Sequence, residues 1–178
     1  MTPPYARIEY ERRFLVDPAS GWRRTVKPYS KLFKDRYLSC GRLRLRAVID
    51  SDYGAVKYKL TKKYESDAAC QSPMVSIYLS RDEYEALAQL DGHDLIKTRH
   101  YAERGGWVFS VNVFQDELDG LIICETEAAS LEELAAVQFP PWASWEVTAT
   151  LFFTGGILCQ ANRRQLLENI RICANGSG

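Results

Sequence analysis

The chain has 178 residues, a length suited to one domain with a sizeable core, and its 23 basic residues balance 23 acidic ones. Apolar residues make up 46% and charged residues 26%, which excludes low-complexity disorder for the bulk of the chain. A net charge of zero argues against a dedicated nucleic-acid or membrane-surface binder, because such proteins carry a basic excess.

The opening Met1-Thr2-Pro3-Pro4-Tyr5 lacks the apolar stretch of a signal peptide, and runs such as Leu121-Ile122-Ile123-Cys124 are too short to span a bilayer. Strand-like alternation follows over 7–16, 41–49, 55–63, 74–79, 95–103, 107–114 and 121–128, with a less regular run at 29–39. Gly105-Gly106 between two such runs predicts a tight hairpin. Helical patterns are fewer. Ser80 with Glu83, and Ser130 with Glu133, have the spacing of capping boxes and open helices over 80–90 and 130–137. An amphipathic helix over 163–172 follows. The expected organisation is one antiparallel β domain with peripheral helices over 1–173, and a frayed tail over 174–178. Five cysteines, Cys40, Cys70, Cys124, Cys159 and Cys173, form no CxxC pair and no cluster with His93 or His100. Each reads as a small core residue, which argues against zinc or a disulfide framework and for a reducing cytoplasm.

The strands are unusual in what they place on one face. Side chains at i and i+2 point the same way. Glu9, Glu11 and Arg13 therefore share a face, with Ile8, Tyr10 and Phe14 opposite. Arg42, Arg44 and Arg46 share another, as do Lys57 with Lys59, Lys97 with Arg99, and Glu125 with Glu127. Two arrangements satisfy this pattern. An open sheet with one solvated face would leave the charges in water. A barrel of about eight strands would enclose them instead. Such an interior suits a polyanion and a divalent metal, with cations on phosphate oxygens and carboxylates as hard ligands for Mg²⁺ or Mn²⁺.

At this point the motifs resemble a known family. Glu9-x-Glu11-x-Arg13-Phe14-Leu15-Val16 is similar to the opening ExExK strand of the CYTH superfamily, the triphosphate tunnel metalloenzymes. Arg44-x-Arg46, Lys59, Lys97-x-Arg99, the Trp107 strand, Gly120-Leu121, Glu125-x-Glu127 and Glu146-Val147-Thr148 resemble the later elements in order. The resemblance implies a closed eight-stranded antiparallel tunnel that binds triphosphate with divalent metal. Glu9, Glu11, Glu125 and Glu127 would hold Mg²⁺ or Mn²⁺ and serve catalysis. Arg13, Arg44, Arg46, Lys59, Lys97 and Arg99 would bind the phosphates. Three departures stand out: Arg13 replaces a lysine, Asn112 stands where an acidic residue is common, and Met74 to Tyr78 carries no carboxylate. Asn112, on the face away from Phe109 and Val111, and Glu146 are candidates for positioning water.

The expected activity is metal-dependent hydrolysis of inorganic triphosphate or a nucleoside triphosphate. A non-catalytic nucleotide- or polyphosphate-sensing module and an adenylate cyclase are the alternatives. Nucleic acid and membrane are not expected partners.

Overall fold

The computed structural model describes residues 3–175. The alternating segments form nine strands: β1 (Arg7–Val16), β2 (Val26–Leu38), β3 (Leu43–Asp50), β4 (Val56–Lys63), β5 (Gln71–Leu79), β6 (Gly92–Arg104), β7 (Trp107–Phe114), β8 (Ile122–Ala128) and β9 (Ala143–Glu146). The helices are α1 (Arg81–Leu87), α2 (Leu131–Ala135), α3 (Gly155–Leu158) and α4 (Arg163–Asn175). The strands run in the order β5-β4-β3-β2-β6-β7-β8-β1, and β1 pairs back onto β5. Every pairing is antiparallel, so eight strands close into a barrel. β9 is a ninth strand on β1, with Phe14 opposite Glu146.

The closed barrel replaces the open sheet as the arrangement that satisfies the charge pattern. Register decides it. Arg13 lies opposite Glu125, Glu11 opposite Glu127, Arg46 opposite both Asp35 and Lys59, and Arg99 opposite Asn112. A slip of one residue in any pair would turn its charges outward and its apolar residues inward.

Two apolar clusters fix that choice. Phe14, Val16, Phe109, Val111, Ile122 and Cys124 form the outer face of β1, β7 and β8, buried beneath α2 and Trp142. Leu15, Leu95, Phe114 and Ile123 occupy the inward register at one end of the barrel and pack on Val147, Phe153, Leu158 and Leu166. The residues after β9, with α3 and α4, thus lay an apolar floor over the β1, β6, β7 and β8 side of that end.

Local chemistry explains most boundaries. Gly105 and Gly106 have φ of 58° and 82°, which lets two residues turn β6 into β7. Ser80 and Glu83 form a complete capping box on α1. Ser130 caps α2, but Glu133 takes the Ala129 amide in place of that of Ser130. The last helix runs to Asn175, so residues 174 and 175 of the expected tail are helical, and 176–178 lie outside the described residues. Cysteines divide differently from expectation. Cys124 is buried, Cys40 is exposed, and the other three are half-buried. Among the described residues no helix is long and apolar enough to cross a membrane.

Tyr37 anchors the floor to the barrel wall. A Cβ built at Gly155 would stand 1.9 Å from its hydroxyl oxygen and 2.8 Å from Cζ. Gly155→Ala must therefore push Tyr37 or α3 aside. Such overpacking costs about 1–3 kcal/mol, to be read as a lowered urea midpoint with an unchanged slope. An unchanged midpoint would mean that α3 is not seated on Tyr37.

Candidate functional site

Inside the barrel, above the apolar floor, lies a cavity of about 720 Å³. It is reached past the β2–β3 turn, the loop before β5 and α3. Alternation on β1, β3, β4, β6 and β8 brings Arg13, Arg44, Arg46, Lys63, Lys97 and Arg99 to its wall, with Glu9, Glu11, Glu125 and Glu127.

Most of these cations already have partners. Arg46 meets Asp35 in a two-pronged ion pair, its terminal nitrogen 2.6 Å from Oδ2, and Asp35 is 2% exposed. Burial works to raise the Asp35 pKa, but Arg46, Arg44 and Lys97 hold it down at about 2. Arg99 donates to Glu125 at 2.7 Å and to Asn112 Oδ1 at 2.8 Å. Asn112 in turn donates to Glu125 at 2.9 Å and to the Ile123 carbonyl at 3.3 Å. Burial opposes the Glu125 charge, yet Lys97, Arg99 and the Asn112 amide bring its pKa to about 2. Lys63 donates to Glu9 at 2.6 Å. Arg13 gives its two terminal nitrogens to the carbonyls of Phe153 and Thr148, at 2.9 and 2.7 Å.

Two cations differ. Among the described residues neither Arg44 nor Lys97 forms an ion pair, and the buried Nε of Arg44 has no acceptor. Lys97 is 6% exposed, with its ammonium 5.4 Å from the centre of the Phe114 ring. Burial lowers its pKa to about 8, with Arg99 and Arg46 adding repulsion and Glu125 and Asp35 opposing. The opposite situation holds for Arg44, where nearby Asp35, Tyr37 and Glu9 outweigh burial and raise the pKa.

Facing the cations, Glu9, Glu11 and Glu127 bring one carboxylate oxygen each to within 4.8 Å of one another. Burial and then the charges of Glu125 and Glu9 push Glu11 up to about 7, against Lys63 and Arg13. Burial and Glu9 raise Glu127 as well. Three hard oxygen donors that repel one another suit a divalent cation such as Mg²⁺ or Mn²⁺. Glu125 lies outside this trio, held by Arg99 and Asn112.

The other sequence candidates sit elsewhere. Lys59 follows the inward alternation but does not line the cavity; its ammonium lies 4.8 Å from the ring of Tyr78, which is exposed. Asn112 is 0% exposed, so it positions Arg99 and Glu125 in place of water. An aspartate there would oppose Glu125. Glu146 points away from the cavity and pairs with Arg12 at 2.6 Å, with Thr148 donating to it at 2.7 Å. His93 is exposed within β6 at the cavity mouth. Asp35 and Lys63 escaped the sequence reading. Lys63 continues the Lys57-x-Lys59 face by two further steps, whereas Asp35 is the single acid in an irregular stretch.

Comparison with solved structures places the barrel. The inorganic triphosphatase NE1496 aligns with a TM-score of 0.55 and 23% identity, over 86% of this chain and 95% of that one. PH1819 from Pyrococcus horikoshii OT3 aligns with a TM-score of 0.53 and 20% identity, over 71% and 82%. A conserved hypothetical protein from Pyrococcus furiosus gives 0.50 and 14%, over 93% and 90%. A scan against protein-family models and a search of curated proteins found no match. At these identities the likeness is one of fold.

The lowered Lys97 pKa sets a pH dependence. The group is charged below about 8 and neutral above it. Metal-free binding of triphosphate is therefore expected to weaken as pH rises from 7 to 9, and Lys97→Arg to flatten that profile, because arginine stays charged. Calorimetric titration across this range is the measurement; a flat wild-type profile would show that Lys97 does not meet the ligand.

Proposed function

We propose that the chain is a metal-dependent phosphohydrolase whose substrate is inorganic triphosphate or a nucleoside triphosphate. One observation carries this reading: a trio of carboxylates and two cations outside any ion pair share a single cavity inside the barrel. A binder of anions alone has no use for three carboxylates in contact. A site for a metal alone has no use for Arg44 and Lys97.

The division of labour follows from the partners each group has. Glu9, Glu11 and Glu127 would hold Mg²⁺ or Mn²⁺, and Lys63 fixes the Glu9 carboxylate. The metal would offset phosphate charge and favour attack by water on phosphorus. Arg44 and Lys97 would bind phosphate oxygens through charge-assisted hydrogen bonds. Arg99, fixed by Asn112 and Glu125, presents an oriented positive face to the same space. Arg13 ties the segment 148–153 to the barrel, over the apolar floor that lines one side of that end. Phosphoryl transfer needs little beyond such positioning and charge stabilisation. The likeness to an inorganic triphosphatase supports this reading through the fold.

Phosphate release from a panel of inorganic triphosphate and nucleoside triphosphates, with and without Mg²⁺ or Mn²⁺, tests it. Glu11→Gln is expected to lower metal-dependent turnover by at least about 100-fold, since several kcal/mol of transition-state stabilisation depend on the metal. The same change should leave metal-free binding of the ligand in place. Tight binding by wild type with no release under any metal would establish the sensing module in place of the enzyme.

Arg44 gives a second test. Its contact with phosphate is worth about 1.5–3 kcal/mol, so Arg44→Ala should weaken triphosphate binding by about 10- to 100-fold. Unchanged affinity in a folded variant would remove Arg44 from the ligand's path.

A further inference from the structure

Asp35 is a carboxylate that the proposed hydrolysis does not use. It is 2% exposed and stands on β2 among the cations of β3 and β6. It takes both prongs of Arg46. The Phe33 ring fixes that arrangement from the side, with the guanidinium carbons of Arg46 and Arg99 4.7 and 4.8 Å from its centre. Arg99 is held equally by Glu125 and Asn112, Lys63 by Glu9, and Arg13 by two carbonyls. Among the described buried or half-buried residues on the cavity wall, Arg44 and Lys97 are the cations outside any ion pair; Arg42, at the mouth, is exposed and pairs with exposed Glu65 at 3.5 Å.

We propose that Asp35 is a specificity determinant: by holding Arg46 back, it leaves Arg44 and Lys97 as the unexposed cations free of an ion pair and so sets the length of phosphate chain gripped inside the tunnel at about two phosphoryl groups. A third group then reaches the carboxylate trio or the mouth, where the exposed Arg42 gives only a solvent-screened contact, and further groups find no buried free cation. This rests on the phosphohydrolase reading only in taking a phosphate chain as the ligand.

The charge of Asp35 also acts on its neighbours. It lies close enough to Arg44 and Lys97 to interact with both, so its neutralisation strengthens every anion contact and that of a longer chain most, because Arg46 is released as well.

Metal-free calorimetry in a chelator, with inorganic phosphate, diphosphate, triphosphate and tetraphosphate as probes, tests this without turnover. For wild type, affinity should climb about tenfold or more from phosphate to diphosphate and less than about threefold at each later step. In Asp35→Asn, all probes should tighten, triphosphate and tetraphosphate by about tenfold more than diphosphate. A melting curve on the same samples reports folding. A wild-type affinity that climbs equally at every step overturns the proposal. So does a folded Asp35→Asn that leaves the series unchanged or weakens all probes alike, which is what a purely structural carboxylate would give. If Asp35→Asn fails to fold, the wild-type series alone decides, a plateau supporting and a steady climb overturning. Failure of phosphate release with metal, with the wild-type plateau intact, would remove the hydrolase reading and leave this one standing.

Discussion

The barrel can close around charged side chains because most of those charges are neutralised within it. A lone ion taken out of water costs several kcal/mol even after the protein relaxes. Here the cost is met pair by pair: Arg46 with Asp35, Arg99 with Glu125, Lys63 with Glu9. Removing one partner of such a buried pair typically costs about 3–5 kcal/mol, more than the roughly 1.5–3 kcal/mol of one charge-assisted contact to a ligand. The internal pairs hold their cations in place, and the described cavity cations outside any ion pair, Arg44 and Lys97, are left to meet an anion.

Those groups are not scattered. Arg44 and Lys97 project from β3 and β6, on either side of β2, while the carboxylate trio comes from β1 and β8 across the cavity. The cations outside ion pairs stand on one arc of the wall and the carboxylate trio on the other. That separation lets one cavity attract an anion and a divalent cation together, where an even mixture would neutralise itself. Asn112 serves the boundary between the arcs. Its amide both accepts from Arg99 and donates to Glu125, which a carboxylate at that position could not do.

The segment after β9 completes the site from outside the barrel. The amide of Val147 bonds to the Arg13 carbonyl, and Arg13 reaches back to Thr148 and Phe153. The choice of arginine at position 13 is legible in this geometry. A planar fork can serve two carbonyls at once, whereas an ammonium offers a single compact charge. The same arginine that seemed a phosphate ligand thus also binds the floor to the wall.

Much of the fold was readable because the period of a strand is short and local. Glu9-x-Glu11-x-Arg13, Arg44-x-Arg46 and Lys97-x-Arg99 fix which side chains share a face, whatever lies across from them. The eight barrel strands, the β6–β7 hairpin and the α1 cap followed from such local rules. β9 and α3 did not, since four residues are too few to show a period. The sequence by itself determined which charges could look inward together. It could not determine which of them remain free, because Asp35 and Arg46, Asn112 and Arg99, or Arg13 and Phe153 meet only through strand pairing and chain return. Whether a buried cation serves a ligand or a neighbour depends on the acceptor within about 3 Å of it, and only the tertiary structure places that acceptor.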